Sequence, residues 1–272
     1  MEKKLLTTDE IKKCELSILL EFDRFCKKNK LTYFLTFGTL LGAIRHKGFI
    51  PWDDDIDVSM PRPDYEKFYE LTKNKRISEN IEMTTYRKCL NRISYPFIKL
   101  FDITTIVEEN GKSTRGKSHI WIDVFPIDGF SNDEKTNTHF LEKIARLRRA
   151  LFFAINDVTM ANSSSFLRFF IKKIKQFFYR CSLFLICKKI DLQSQKYSYE
   201  TAELVGCIAW SIYGNREIIS KSHYSTSECN FEGYTFSAPK GWHEYLSNLY
   251  GEYMQLPPID KRGSHAIIAY MK

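Results

Sequence analysis

Four aspartates at positions 53, 54, 55 and 57 form an acidic cluster between two apolar side chains, Trp52 and Val58. If such a stretch is partly removed from water, its carboxylates repel one another strongly unless a cation lies between them. In an extended strand, residues two apart point to the same face, so Asp55 and Asp57 share one face while their apolar neighbours enter the core. A solvated acidic loop is the alternative, but it would not require those neighbours. The cluster therefore favours a buried strand beside a bound cation.

The spacing of these acids suits an oxygen-ligated ion. Mg²⁺ favours one or two protein carboxylates, and water and phosphate oxygens complete its coordination shell. We therefore predict that Asp55 and Asp57 bind Mg²⁺, for which Mn²⁺ could substitute, and that the substrate carries phosphate.

A glycine turn and a short helix precede the acidic cluster. Residues 31–37 have a strand pattern, Gly38 and Thr39 suit a tight turn, and residues 40–45 suit a short helix. The first amides of such a helix can receive a phosphate group. The short helix and the acidic cluster therefore complement each other, since the helix attracts an anion and the cluster attracts a cation.

A further acid lies in an apolar run from His119 to Phe125. An acid in such a setting is rarely left unpaired in a core, so Asp123 should meet a cation, a metal or a substrate proton. Two other charged residues are predicted to have different roles. Arg62 could be a surface charge or a phosphate contact, and Asp128, which follows Pro126, is expected to cap a turn.

Two helices outside this region are well marked. Thr7 and Glu10 form a capping-box pattern, and apolar residues recur at helical spacing over residues 8–28. A similar spacing of apolar residues predicts a helix over residues 241–251.

Several motifs together carry a family resemblance. They are Gly38 to Gly42, Arg45 to His46, Gly48 to Asp57, Arg62 to Tyr65, Trp121 to Asp128 and Tyr250 to Pro258, with Arg262 and His265 beyond them. This pattern closely resembles the LicD family, whose members include bacterial phosphocholine transferases and, as relatives, the fukutin-type polyol-phosphate transferases.

The resemblance implies an α+β fold. We expect a nucleotidyltransferase-like mixed β-sheet core flanked by helices in residues 1–135, and a mostly helical section in residues 136–272. Asp55, Asp57 and Asp123 would be the catalytic and the metal-binding residues. The residues expected to bind substrate are Gly38, Thr39, Arg45, His46, Lys47, Trp52, Asp53 and Arg62.

The resemblance also implies a reaction. Phosphocholine would pass from CDP-choline to a hydroxyl of a cell-surface glycan precursor, of the teichoic acid, lipopolysaccharide or capsule type, and CMP would be released. Two alternatives remain open: a donor such as CDP-glycerol or CDP-ribitol, and a true nucleotidyltransferase that deposits NMP.

Charge and composition limit the classes of binding partner that are expected. The formal net charge of +8 over 272 residues favours anionic partners. A nucleic-acid or membrane binding module would leave the aspartates unexplained, so no nucleic acid is expected. The seven cysteines include no Cys-x-x-Cys pair, which argues against a disulfide framework and a zinc ribbon. Charged residues follow Met1 without an apolar run, so a cytoplasmic protein is expected.

The segment from Phe166 to Lys189 mixes large apolar residues with Lys and Arg. Its charges interrupt it too often for it to span a bilayer. Two interpretations are open. The segment is either a helix pair packed on the domain or an interfacial helix that docks the enzyme, peripherally, on the inner face of the membrane.

The run from Gly111 to Ser118 matches the P-loop expression G-x-x-x-x-G-K-[ST]. A P-loop must open a helix, whereas the residues after Ser118 have a strand pattern. We therefore predict a basic turn instead of an ATP site.

Overall fold

A mixed β-sheet forms the centre of the protein in the computed structural model, which describes residues 4–88, 95–108, 118–156, 158–159, 165–263 and 267–272. The helices in these ranges are α1 (Thr8–Asn29), α2 (Phe37–Arg45), α3 (Arg62–Thr72), α4 (Glu134–Ile155), α5 (Phe166–Cys181), α6 (Leu183–Ser194) and α7 (Trp242–Tyr250). The strands are β1 (Lys4–Leu5), β2 (Phe34–Leu35), β3 (Asp57–Pro61), β4 (Ile81–Thr84), β5 (Ile98–Glu108), β6 (Ser118–Phe130), β7 (Leu204–Gly206), β8 (Ile219–Ser220), β9 (Thr226–Phe231), β10 (Tyr234–Pro239) and β11 (Ile268–Met271).

The sheet has the order β1-β11-β5-β6-β3-β2. Strand β4 pairs with β5, and β7 joins β6 to β8. Strands β3 and β6 run parallel, and the other pairs are antiparallel. Strands β9 and β10 form a separate hairpin. The helices flank this sheet, which confirms the predicted α+β fold.

Helix α1 begins with the capping box that its sequence predicts. The Thr7 hydroxyl accepts a hydrogen bond from the Glu10 amide at 3.2 Å, and the Glu10 carboxylate accepts one from the Thr7 amide at 2.9 Å. The apolar stripe of α1 is buried in the main core, where the Phe22 ring packs edge-on against that of Phe68. This packing fixes α1 and α3 on the sheet.

The C-terminal half contributes to the same sheet. Strands β7 and β8 extend it beyond β6, and β11 lies between β1 and β5. The main hydrophobic core accordingly includes residues from Leu6 to Ala269. Residues 136–272 therefore contribute strands as well as helices to the core. The boundary at residue 135 stays a prediction.

Helices α4, α5 and α6 form a layer with a second, smaller core that includes Leu151, Ile155, Ile186 and Ile190. In the described ranges, no helix is both long enough and apolar enough to cross a membrane. Strand β6 begins at Ser118, so the P-loop-like run is followed by a strand, as predicted. Residues 111–117 of that run lie outside the described residues.

Candidate active site

Three neighbouring strands bring Asp57, Asp123 and Lys99 side by side. Asp57 of β3 is paired in register with Asp123 of β6, and Asp123 is paired with Lys99 of β5. Residues directly opposite each other in adjacent strands project from the same face of a sheet. One face of the sheet therefore carries two acids and a lysine in a row.

Lys99 forms an ion pair with Asp123. Its Nζ lies 2.6 Å from Asp123 Oδ1, and Lys99 is 7% exposed. The prediction that Asp123 meets a cation is thus confirmed. Lys99 itself was missed, although a lysine between Ile98 and Leu100 in an apolar strand is a signal of the same kind as Asp123.

Aromatic rings surround the Lys99 ammonium group. Its Nζ lies 4.4 Å from the ring centroid of Trp121, 4.6 Å from that of Tyr95 and 5.6 Å from that of Phe97. The Trp210 ring contacts Tyr95 and Phe97 in turn. Trp121 and Tyr95 are partly exposed. A cation-binding group of rings thus borders the acidic site.

The carboxylates interact electrostatically. Burial, followed by the negative charges of Asp55 and Asp123, raises the pKa of Asp57 well above its ordinary value. Lys99 acts in the opposite direction, but the net shift is upward. The site would therefore be stabilised by additional positive charge.

The start of α2 holds the beginning of β3. The Asp57 amide donates a hydrogen bond to Thr39 Oγ1 at 2.8 Å. A Cβ atom at Gly38 would lie 2.9 Å from Asp53 Oδ2, so glycine permits the close approach of this carboxylate to the first turn of α2. Because α2 begins at Phe37, Gly38 and Thr39 belong to the helix. The prediction of a separate tight turn there was wrong.

Phe37 has a left-handed backbone conformation with φ of 45°, which is unusual for a bulky residue. Its ring packs against Phe125 and Tyr213 at centroid distances of 5.5 and 6.0 Å. The preceding Thr36 hydroxyl shares a hydrogen bond with Tyr245 Oη at 2.5 Å. Residues from the C-terminal half therefore fix the backbone at which α2 begins.

The end of α2 and the segment after it contact the C-terminal half as well. Arg45 Nη1 donates a hydrogen bond to the Tyr253 carbonyl at 2.7 Å, and the Arg262 guanidinium lies 4.7 Å from the Trp52 ring centroid. The His46 and Trp52 rings form a T-shaped pair with centroids 6.1 Å apart. Burial, followed by the charge of Arg45, lowers the pKa of His46, which favours neutral imidazole. The exposed Lys47 accepts a hydrogen bond from the Glu232 amide through its carbonyl.

The predicted substrate-binding residues therefore fall into separate places. Gly38, Thr39 and Asp53 lie at the start of α2, whereas Arg45, His46, Lys47 and Trp52 lie in or next to the segment that follows it. Their contact with substrate stays a prediction. His265 lies outside the described residues.

Glu15 of α1 is a second residue that the sequence reasoning missed. It is 2% exposed, and burial followed by the charges of Asp55 and Asp54 raises its pKa well above the ordinary value. Its Oε2 has no hydrogen-bond partner within the described part of the chain. Its position four residues after Ile11, on the apolar stripe of α1, could have indicated a buried acid.

Arg62 belongs to a different buried network. Its Nε and Nη2 donate hydrogen bonds of 2.6 Å to the two oxygens of Asp128, and its Nη1 donates to Asp191 at 2.9 Å. Arg62 is 8% exposed, so the surface alternative was wrong. Asp128 lies inside β6, so the prediction that it caps a turn was also wrong. A substrate contact by Arg62 stays a prediction.

The donor set suits Mg²⁺ chemically. Among the residues that the structure describes, no three His, Cys, Asp or Glu side chains are grouped to hold a metal ion. Mg²⁺, however, needs only one or two protein carboxylates beside water and phosphate oxygens. The negative charges of Asp55 and Asp123, which help to raise the pKa of Asp57, indicate a place where such an ion would be favoured.

Comparison with known proteins identifies the family of the chain. Residues 30–161 match the family model described as "LicD/FKTN/FKRP, nucleotidyltransferase domain". The chain is 33% identical over 270 residues to the lipopolysaccharide cholinephosphotransferase LicD of Haemophilus influenzae, and the alignment covers 97% of each chain. It is also 34% identical over 109 residues to an uncharacterized protein of Rickettsia typhi. That alignment covers 39% of this chain and 32% of the Rickettsia protein. By its nearly full-length similarity to the Haemophilus protein, the chain belongs to the LicD family.

Proposed function

We propose that this protein transfers phosphocholine from CDP-choline to a hydroxyl of lipopolysaccharide or a related cell-surface glycan, and releases CMP. The observation that carries the proposal is the similarity over 97% of both chains to a protein named as a lipopolysaccharide cholinephosphotransferase. The row of Asp57, Asp123 and Lys99 supports it, because phosphoryl transfer depends chiefly on positioning and on charge stabilisation.

The bonds that change define what the site must do. The acceptor oxygen forms a bond to the phosphorus that carries choline, and the bond from that phosphorus to the CMP oxygen breaks. The acceptor proton must be taken up, for which Asp123 is the candidate base if it is not a metal ligand. Bound at Asp55 and Asp57, Mg²⁺ would neutralise charge on the pyrophosphate.

Lys99 adds a role that the sequence reasoning did not assign. Its ammonium lies 2.6 Å from Asp123, so it can orient this carboxylate. The same ammonium has three N–H donors and can also hydrogen-bond a phosphate oxygen. Lys99 is thus the positioning residue of the proposed site.

The aromatic rings favour choline over a neutral polyol. Trp121 and Tyr95 already hold an ammonium group at 4.4 and 4.6 Å. A quaternary ammonium is attracted to ring faces in the same way, whereas the hydroxyls of glycerol or ribitol phosphate are not. Because the Lys99 ammonium would repel a second cation, a choline head group would need the ring faces that Lys99 leaves uncovered, and there it would bind more tightly than either polyol.

The test offers the purified protein CDP-choline, CDP-glycerol and CDP-ribitol with Mg²⁺ and a lipopolysaccharide acceptor. We expect free CMP and choline-labelled acceptor from CDP-choline. If CMP is released from CDP-glycerol or CDP-ribitol and not from CDP-choline, the transferred group is a polyol phosphate and not phosphocholine. Acceptor that carries CMP, with phosphocholine released, would show a nucleotidyltransferase instead.

A matched pair of variants tests the head group. Trp121→Leu should raise KM for CDP-choline by about tenfold, since a desolvated cation–π contact is worth up to about 2 kcal/mol. The change should have little effect on any slow turnover of CDP-glycerol. Phe101→Leu, at the position paired with Trp121 in β5, is the control. An equal effect of Trp121→Leu on both donors would contradict recognition of choline by these rings.

A further inference from the structure

Helix α5 presents its polar side to the protein and its apolar side to the surroundings. Gln176 is 1% exposed, and its Nε2 donates hydrogen bonds to the carbonyls of Phe153 and Asn156. Arg180 Nε donates to the Ala154 carbonyl at 2.9 Å. These bonds attach α5 to the end of α4. They fix which side of α5 faces away from the protein.

The outward side consists of large apolar residues. Exposure is 68% for Phe166, 69% for Leu167, 55% for Phe170 and Ile171, 50% for Ile174, 63% for Phe177 and 65% for Phe178. At 3.6 residues per turn, these seven residues and Cys181 occupy one continuous arc of about 140°. We call it the apolar arc.

Basic residues border the apolar arc on both sides. Helical spacing places Arg168 and Lys175 at one edge and Lys173 at the other. The sequence from Phe166 to Ile190 contains no Asp or Glu. An apolar stripe between two cationic edges is complementary to an anionic lipid surface, where acyl chains lie below negatively charged head groups.

We propose that α5 lies in the plane of an anionic membrane surface, with the apolar arc inserted below the head groups and the basic edges level with them. Attachment of α5 through Gln176 and Arg180 leaves the arc free to insert. A second copy of the chain is a poorer partner for the arc, because facing α5 helices would bring their cationic edges together. The proposal goes beyond the transfer reaction and does not depend on it.

Co-sedimentation of the full chain with vesicles tests the proposal. One set contains phosphatidylcholine alone, and the other contains phosphatidylcholine with phosphatidylglycerol. We expect binding to the anionic set that weakens as salt rises towards 1 M, where the screening length falls to about 3 Å. Absence of binding to the anionic vesicles at low salt would overturn the proposal.

Two sets of variants separate the apolar arc from its edges. Ile174→Ser with Phe177→Ser should weaken binding more than about tenfold, since each large apolar side chain contributes substantially on burial. The control is Ile212→Ser with Ile259→Ser, at sites that are 53% and 80% exposed in other parts of the chain. Equal losses in both pairs, or none in the first, would contradict insertion of the apolar arc.

Charge reversal tests the edges. Lys173→Glu with Lys175→Glu should reduce binding to anionic vesicles by about tenfold or more, while Lys13→Glu with Lys28→Glu on α1 makes the same change in net charge. Equal effects would mean that overall charge, and not α5, drives binding.

Circular dichroism verifies folding of each variant. A dimer in light scattering that Ile174→Ser with Phe177→Ser dissociates, without vesicle binding by the wild type, would assign the arc to self-association and overturn the proposal.

Discussion

Strand β6 carries two acids, Asp123 and Asp128, whose surroundings differ. Asp128 accepts two hydrogen bonds of 2.6 Å from Arg62, which also pairs with Asp191. Asp123 pairs with Lys99 but lies beside Asp57, whose pKa is raised by burial and by the charges of Asp55 and Asp123. Asp123 lies at the first position of the β3–β6 register, whereas Asp128 lies one residue beyond its last position, where β6 pairs with β7.

This difference separates a structural role from a functional one. A buried carboxylate that meets a guanidinium in two-pronged geometry has its counter-charge within the fold, although burial still raises the pKa of Asp128 to about 6. A buried acid whose pKa is raised by neighbouring acids costs folding free energy, and such an arrangement is typical of a site that binds a cation or moves a proton. Mutation of the Asp128–Arg62 pair should therefore lower stability, whereas mutation of the acids around Asp57 should lower activity.

The largest expected effect is the loss of transfer in Asp57→Asn. The rate should fall by about 100-fold to 1000-fold, because in the proposed reaction this acid helps to neutralise the charge of the reacting phosphates. Thermal stability should be unchanged or higher at neutral pH, since the variant removes repulsion among acids. Transfer assays and calorimetry measure both, with Asp9→Asn on the exposed start of α1 as control. Retention of more than about a tenth of the rate at saturating Mg²⁺ would contradict a role in catalysis.

Arg62→Met should show the opposite pattern. It leaves Asp128 and Asp191 without this partner, and removal of one member of a buried ion pair costs about 3–5 kcal/mol. Urea denaturation measures this loss, and the rate per folded molecule should stay near that of the wild type. A large fall in kcat/KM with stability preserved would instead assign Arg62 to the substrate, as the sequence-based prediction had it.

Lys99→Met tests the boundary between the two roles. The rate per folded molecule should fall by about 10-fold to 100-fold, because Asp123 loses the cation beside it and the proposed site loses a donor for phosphate. Lys99→Arg keeps the charge and should recover part of kcat, whereas Lys240→Met at an exposed site should change nothing. If Lys99→Met lowers stability but leaves kcat and KM of the folded enzyme unchanged, Lys99 is only structural.

The sequence predicted those features that depend on neighbours in the chain. The capping box of α1, the burial of the strand after Asp55 and the apolar setting of Asp123 all follow from local pattern. Family resemblance supplied the fold, since the motifs around Gly38 and Asp57 are continuous in sequence.

The features that were missed depend on contacts between distant residues. The pairing of Lys99 with Asp123 follows from the register of β5 on β6, and Arg62 meets Asp191 across 129 positions of the chain. Neither partner can be chosen from periodicity, because many acids and bases have the same local pattern. The early start of α2 likewise depends on Tyr213 and Tyr245, which hold Phe37 and Thr36 from the other half.

The smallest expected effect concerns Glu217, a buried acid that accepts a hydrogen bond from the Tyr213 amide at 2.7 Å. Burial raises the pKa of Glu217 to about 7 from its usual 4.5. Between these values the folded protein binds a proton that the unfolded chain has released, so stability should fall as pH rises from 4.5 to 7.

Glu217→Gln should remove this part of the pH dependence. We expect the free energy of unfolding of the variant, relative to wild type, to increase by about 1–3 kcal/mol across that interval. Asp128, whose pKa burial raises to about 6, contributes in the same direction in both proteins and cancels in the difference. Urea denaturation at a series of pH values, with Glu228→Gln as the exposed control, measures it. A difference that is independent of pH would mean that Glu217 stays ionised in the folded protein, and would place it with Asp191 among the compensated acids.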